Sequence, residues 1–317
     1  MANRTAYFLV GSTAVGKTAV AHWIARKESF EVLSADSMLV YKGMDIGTAK
    51  PDPIARTQVR YHGIDITSPN QSSNLAQWLG VADEAFRNAQ APLIVTGGTG
   101  LYMRSLVEGL AEGPPPNSEK RARWEALYEE RGLGALQEML CSKHPDMYAS
   151  LADPENPRRL IRALEFAEAG IRTRPEQWDA RPSHSPFVGL SMKPPLLHSR
   201  IETRIREMYR GGLLEEVARL TDTYPTWSDT ARQAIGYAEA VAVRNGDMTL
   251  EDAIEKSVTR TRQLAKRQRT WFNHQANVEW LDVESSTHIE EVGNRVRDAW
   301  NTIGPTEIKR VGETSNE

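Results

Sequence analysis

A parallel α/β fold with a separate helical unit is predicted by three features of the chain. Three short apolar runs each end in polar or glycine residues, helix-like segments separate them, and a proline cluster later marks a change to charged, helical composition. The runs are Tyr7-Phe8-Leu9-Val10, residues 31–33 and residues 93–95, and the helical segments between them include residues 19–27 and 75–88. Alternation of this kind puts ligands at the carboxyl ends of the strands, so the three polar termini should face one crevice.

The first run leads into Gly11-Ser12-Thr13-Ala14-Val15-Gly16-Lys17-Thr18, which fits the P-loop pattern G-x-x-x-x-G-K-[ST]. Glycines there let backbone N–H groups converge on phosphate oxygens, Lys17 adds a positive charge, and the Thr18 hydroxyl is placed to ligate Mg²⁺. The pattern does not say whose phosphates are bound. The second run ends in Ser34-Ala35-Asp36-Ser37. At a strand end beside the P-loop, Asp36 is placed to act as a general base or to bind Mg²⁺, and equally to cap a helix. The third run ends in Thr96-Gly97-Gly98-Thr99, where a nucleoside triphosphatase would offer a metal-binding carboxylate. Its glycines permit close approach of a ligand or simply make a strand-to-helix turn.

At Gly113-Pro114-Pro115-Pro116 the chain turns to charged helices, and residues 113–195 read as an inserted helical unit. Residues 1–112 and 196–306 then form the P-loop core with its C-terminal helices. Pro194-Pro195 precede an amphipathic helix whose Ile201, Ile205 and Met208 share one face, closing at Gly211-Gly212. Two more helices are expected over about residues 230–245 and 250–272, and the polar tail 307–317 is expected to be disordered.

In a chain of 317 residues with net charge −3, a basic patch must be local. One lies in Thr259-Arg260-Thr261-Arg262-Gln263-Leu264-Ala265-Lys266-Arg267-Gln268-Arg269-Thr270-Trp271-Phe272. On a helix Arg262, Lys266 and Arg269 form one cationic stripe, suited to a polyanion with aromatic side chains at its end, or to a solvated face. Arg158, Arg159 and Arg162 follow Asn156-Pro157 at a helix start, an unfavourable place for cations unless they reach an external anion. The single cysteine, Cys141, excludes an internal disulfide framework. The first strand begins within a few residues of the N-terminus and no apolar run approaches membrane-spanning length, so cytoplasmic residence without a membrane partner is the expectation.

Taken together, these segments resemble the tRNA dimethylallyltransferase (tRNA isopentenyltransferase) family. The likeness runs through Gly11–Thr18, Ser34-Ala35-Asp36-Ser37, Val40-Tyr41-Lys42-Gly43-Met44-Asp45-Ile46-Gly47-Thr48-Ala49-Lys50-Pro51 and Gly97-Gly98-Thr99 with Leu101-Tyr102. It continues through Arg162-Ala163-Leu164-Glu165, Arg232-Gln233-Ala234-Ile235-Gly236-Tyr237 and Thr261-Arg262-Gln263-Leu264-Ala265-Lys266-Arg267-Gln268 with Thr270-Trp271. The resemblance implies a P-loop kinase-like core with a helical insertion that grips the tRNA anticodon stem-loop. It implies transfer of a dimethylallyl group from dimethylallyl diphosphate to N6 of the adenosine 3′ of the anticodon, by a Mg²⁺-dependent enzyme expected to be a monomer.

Residue by residue, the general base falls on Asp36 and the substrate-channel threonine on Thr99, with Arg232 as an extra cation for the diphosphate. The tRNA contacts fall on Asp36, Ser37, Met38 and Leu39, on Thr99 and Arg121, on Arg158, Arg159 and Arg162, and on Arg232, Gln233, Gly236 and Tyr237. The basic residues Arg262, Lys266 and Arg269 join them. Ser12 stands where the family usually has proline, Gly63 replaces a frequent histidine, and Ala238 follows Tyr237 where lysine or arginine is common. A small-molecule phosphotransferase, a nucleic-acid-binding NTPase or an adenylate isopentenyltransferase would share the P-loop. The first has no need of the Arg262–Trp271 helix, the first two require a nucleoside triphosphate, and the third uses a free nucleotide.

Overall fold

The computed structural model describes residues 4–109, 113–114, 117–173, 183–284 and 287–309. It falls into two compact units, one of Met1–Gly109 with Ala180–Glu317 and one of Leu110–Asp179. The first unit is built on one seven-stranded sheet: β1 (Thr5–Gly11), β2 (Glu31–Ser34), β3 (Tyr61–His62), β4 (Leu93–Thr96), β5 (Ser183–Ser191), β6 (Ala276–Asp282) and β7 (Thr306–Glu307). The order is β3-β2-β4-β1-β5-β6, with parallel pairing throughout, and β7 joins β1 antiparallel.

Strands β2 and β4 are buried along their whole length, as expected of parallel strands covered on both faces. Their register aligns Ser34 with Thr96, and Thr96 with Leu9. The carboxyl ends of β1, β2 and β4 therefore finish together.

Helices α1 (Lys17–Glu28), α2 (Pro53–Gln58), α3 (Leu75–Asn88) and α4 (Gly100–Glu108) follow the first four strands. Asn74 caps α3 by accepting from the Gln77 N–H, and the helix buries Trp78, Leu79, Ala82 and Ala85. The Trp78 indole N–H donates to the Ser34 carbonyl at 2.9 Å, so the apolar face of α3 also secures the end of β2.

The second unit contains α5 (Ser118–Lys143), α6 (Pro145–Ala149) and α7 (Pro157–Glu168), around a core that includes Trp124, Leu136, Leu140, Met147, Leu160 and Leu164. Gly132, at φ 74°, breaks α5 into two pieces.

The chain then supplies α8 (Pro194–Arg210), α9 (Leu213–Thr223), α10 (Asp229–Arg232), α11 (Tyr237–Arg244), α12 (Leu250–Gln275) and α13 (Ile289–Ile303) to the first unit. Ile201, Ile205 and Met208 are buried together on α8, as their spacing requires.

Three expectations about organisation are corrected. The helical unit ends before residue 195, because β5 belongs to the central sheet. Only Phe187-Val188-Gly189-Leu190 reads as an apolar run there, and the polar residues before it, with an irregularity between Ser183 and Pro186, hide the strand. Residues 230–245 are two helices rather than one, parted by Gly236 at φ 88°. The tail is ordered at its start. Thr306 and Glu307 pair with Ala6 and Thr5, beside which β5 does not reach, since its pairing with β1 begins at Leu9. Ile308 and Lys309 continue the attachment through their N–H groups to the Arg4 and Leu106 carbonyls, and residues 310–317 lie outside the described residues.

At the edge of the sheet the Glu31 carboxylate meets His62 Nε2 at 2.6 Å and accepts from the Gln90 N–H at 3.0 Å. Burial pushes this carboxyl up. The bonds from His62 and Gln90, with the charges of His62 and Arg60, outweigh burial and hold it below its ordinary value. A depressed carboxyl stabilises the fold above its unfolded pKa and loses that contribution as pH falls through the folded pKa. Between pH 6 and pH 3.5 the urea midpoint of the wild type should therefore fall further than that of Glu31→Gln; parallel curves would remove Glu31 from this role.

Candidate active site

Strand β1 ends at Gly11, whose φ of 139° and tight approach to the Leu190 carbonyl leave no room for a side chain. The loop then wraps to Gly16, left-handed at φ 111°, and α1 starts at Lys17 with its N-terminal amides uncapped by any side chain. Gly11, Ser12, Ala14, Val15 and Lys17 are buried, Thr13 and Gly16 half-buried, and Thr18 exposed. This is an anion cradle.

Lys17 Nζ donates to the Ser12 carbonyl at 2.7 Å. Burial pushes its ammonium down to about 8, the Asp36 carboxylate opposes that shift, and the Arg204 guanidinium adds to it. Arg204, on α8, is likewise pushed down by burial, pulled up by Asp36, and pushed down again by Arg200. Three charged groups from three elements thus feel one another at the mouth of the P-loop. Crowded cations that share one carboxylate suit an anionic ligand.

Asp36 does not cap a helix. Its Oδ1 accepts from the Met38 N–H at 2.9 Å, and the next helix, α2, is capped by Asp52. One carboxylate oxygen is thereby held while the group lines the cleft. The Thr99 hydroxyl oxygen accepts from the Ser37 N–H at 3.1 Å, and the Thr99 N–H donates to the Ala35 carbonyl at 3.2 Å, tying the turns after β2 and β4 together.

The glycines of the β4 turn serve this packing. A Cβ on Gly97 would lie 2.1 Å from the Ala35 carbonyl oxygen, one on Gly98 would meet the Gln268 amide, and one on Gly100 would enter the Trp271 ring.

Together these elements line a cleft of about 940 Å³. Its walls include Thr13, Ala14, Gly16, Lys17 and Thr18, Asp36, the segment Thr48 to Pro51, and Arg200, Thr203 and Arg204 from α8. Gln268 of α12 also reaches it, accepting from the Thr13 N–H at 2.7 Å. No carboxylate follows β4; Thr96 instead donates its hydroxyl proton to the Leu9 carbonyl.

Sequence reasoning missed Arg200 and Arg204. They flank the apolar stripe of α8 four residues apart, a spacing that ordinarily describes a solvated helix edge, and only the packing of α8 in the fold turns that edge over the P-loop. Arg200 Nη2 lies 3.8 Å from where a Gly16 Cβ would be.

Arg232 is not among the residues lining the cleft. It is exposed, donates to the Trp227 carbonyl at 3.1 Å and sits 3.8 Å from Asp229, so Arg204 and Arg200 replace it as the cations facing the P-loop. Tyr237 is fully buried, which corrects the expectation of a side-chain contact with RNA; Gly236 and Leu39 are buried too. Ser37 and Met38 are half-buried and Gln233 is exposed.

On α12, Lys266 and Arg269 are exposed as the stripe requires, but Arg262 is drawn aside by Glu202 at 3.2 Å. Lys266, Arg267, Thr270, Trp271 and His274 bound a second, shallow concavity of about 580 Å³.

In the helical unit Glu165 binds both Arg121 at 2.9 Å and Arg162 at 2.7 Å, so these two cations are partly neutralised internally. Asn156 caps α7 by accepting from the Arg158 and Arg159 N–H groups, and the Arg159 side chain lies 3.8 Å from Asp153.

The chain is similar to known proteins in sequence and in fold. The family model described as IPP transferase matches residues 39–275, and one described as isopentenyl transferase matches residues 4–61. The tRNA dimethylallyltransferase of Thermomicrobium roseum is 40% identical over 294 residues, covering 91% of this chain and 89% of the relative. That of Corynebacterium efficiens is 36% identical over 290 residues, covering 88% and 95%. Among solved structures, the full-length tRNA isopentenylpyrophosphate transferase of Bacillus halodurans is similar with a TM-score of 0.64 and 33% identity, covering 94% of this chain and 97% of that one.

A lysine lowered from 10.5 to about 8 costs the folded state stability below pH 8, and the cost disappears as pH rises toward 10.5. In the ligand-free protein, Lys17→Met should therefore melt higher than wild type at pH 7, with the gap narrowing by pH 10. A variant that melts lower at pH 7, or a gap independent of pH, would contradict the assignment.

Proposed function

The chain belongs to the IPP transferase family, the tRNA dimethylallyltransferases, and from that premise we propose that it moves a dimethylallyl group from dimethylallyl diphosphate to N6 of the adenosine immediately 3′ of the anticodon. The observation that carries this reading is the convergence of Lys17, Arg204 and Asp36 on a P-loop that has no carboxylate after β4. Cations gathered beside a general base suit a departing diphosphate, with carbon rather than phosphorus under attack.

The exocyclic amine of adenine is a weak nucleophile because its lone pair is delocalised into the ring. Attack on the allylic carbon forms an N–C bond and breaks the C–O bond to diphosphate, which leaves with the electron pair. Asp36, with one oxygen held by the Met38 N–H, takes the proton from the amine. Negative charge growing on the diphosphate meets the P-loop amides, Lys17, Arg204 and Arg200, already oriented before the bond breaks. Thr99 serves by holding the Ser37 N–H, and with it the turn that carries Asp36.

Thr18 offers a hydroxyl on the cleft wall, a donor that fits Mg²⁺ when the diphosphate supplies further oxygens, which leaves Asp36 free to act as the base. No group of three or more His, Cys, Asp or Glu among the described residues could hold a metal without the diphosphate. When bound, the ion would add Lewis-acid stabilisation to the leaving group.

The target base must leave its stack to reach Asp36. Exposed Lys266, Arg269 and Arg232, with the half-buried Trp271 nearby on α12, suit phosphates and bases of a stem-loop, and Arg121, Arg158, Arg159 and Arg162 of the helical unit suit its backbone.

Incubation with labelled dimethylallyl diphosphate, Mg²⁺ and unmodified tRNA should place label in the tRNA. Label in AMP alone, or ATP consumption with none in tRNA, would sink the reading. Asp36→Asn should bind tRNA as wild type does while turnover falls by roughly 10² to 10⁴. Arg204→Gln should weaken binding of the allylic diphosphate, whereas Arg232→Gln should not; the reverse pattern would restore Arg232 as the cation of the cleft.

A further inference from the structure

The segment Met44 to Pro51 is one wall of the cleft through Thr48, Ala49, Lys50 and Pro51, and it contains no regular secondary structure. Such a wall needs an external support to keep its place. Lys50 supplies part of it: its buried Nζ donates to the Tyr41 carbonyl at 2.5 Å and meets Asp45 and Asp65 at 2.8 and 2.7 Å. The remainder comes from the helices of residues 213–244.

Glu216 of α9 is buried. Its carboxylate accepts from the Asp45 N–H at 3.1 Å, from the Ile46 N–H at 3.0 Å and from the Tyr237 hydroxyl at 2.5 Å. Tyr237, the first residue of α11, in turn accepts from the Gly47 N–H at 3.1 Å. Three consecutive backbone amides are thus held by one carboxylate and one phenol.

The packing is equally close. A Cβ on Gly47 would stand 2.4 Å from the Tyr237 ring and 3.0 Å from Leu213. Burial and the neighbouring Glu216 charge raise the Tyr237 hydroxyl, so it stays protonated and able to donate.

We propose that Glu216 and Tyr237 are positioning residues of the transfer reaction, which through the amides of Asp45, Ile46 and Gly47 hold the Thr48–Pro51 wall at the spacing the allylic diphosphate requires. This rests on the function proposed above. It divides the segment Arg232-Gln233-Ala234-Ile235-Gly236-Tyr237 between two tasks: Arg232 and Gln233 are exposed on its outer turn, while Tyr237 is turned inward to the cleft wall.

The test compares Tyr237→Phe, Glu216→Gln and the double variant with wild type. Amide exchange should quicken by roughly tenfold or more at residues 45–47 and stay unchanged at the P-loop. Calorimetric titration with dimethylallyl diphosphate in the absence of tRNA should give a dissociation constant raised roughly tenfold, whereas tRNA affinity and kcat at saturating donor should stay within about twofold. Because both side chains act through one loop, the double variant should be little worse than either single one.

A rise in the tRNA dissociation constant with donor binding unchanged would return Tyr237 to the RNA face and overturn the proposal. So would unchanged exchange at residues 45–47, or a lowered melting temperature as the sole effect. A wild type that binds the allylic diphosphate yet transfers nothing to tRNA would defeat the functional reading alone, since the exchange and titration results would still judge the positioning role.

Discussion

The close contact between the turns after β2 and β4 is the constraint from which the site follows. Gly97 lies against the Ala35 carbonyl with no space for a side chain, the Thr99 N–H donates to that same carbonyl, and the Thr99 hydroxyl takes the Ser37 N–H. Parallel pairing brings the strand ends level, and these contacts convert that alignment into a fixed direction for Asp36. With β1 paired to β4 on its other side, the P-loop is necessarily adjacent. Asp36 and the loop of residues 11–18 are therefore placed by sheet geometry, and helices α8 and α12 need only cover them.

That cover determines the electrostatics. Burial pushes Lys17 and Arg204 down, Arg204 adds to the push on Lys17 and Arg200 to that on Arg204, and Asp36 opposes the push on both. In the absence of an anion the arrangement costs the fold stability, because desolvated cations have only one carboxylate between them. In the function proposed above, binding energy from the diphosphate would be recovered where charge develops in the transition state, which is the condition for rate enhancement rather than tight ground-state binding alone. The amide of Gln268 completes the cover by accepting from Thr13, so the helix bearing the exposed cations Lys266 and Arg269 also touches the P-loop.

Local patterns made much of this legible. The P-loop, the three strand ends and the apolar face of α8 depend on spacing within a few residues, and each stands where spacing put it. Arg204 was hidden because its partners, Lys17 and Asp36, are remote in sequence. Strand β5 was hidden by polar residues and a proline at its start, and β7 by a polar tail whose pairing depends on a gap beside Thr5 and Ala6. The basic stripe shows the limit most clearly: helical periodicity correctly groups Arg262 with Lys266 and Arg269, but only the fold brings Glu202 across to claim it. Tyr237 illustrates the same point in reverse, since a residue in a motif that resemblance assigns to RNA contact is buried against Gly47.

Buried acids recur as organisers of backbone and cations. Glu216 gathers the amides of residues 45–46, Glu239 holds the Gly236 N–H and Arg260, and Glu165 gathers Arg121 and Arg162. An acid that consumes some positive charge internally limits repulsion among the rest, and by fixing backbone it spares the exposed arginines the entropy of an unanchored loop. The same chemistry thus sets the cleft wall and spaces the cationic surfaces, which is how a chain of net charge −3 can offer local positive patches without becoming a general polyanion binder.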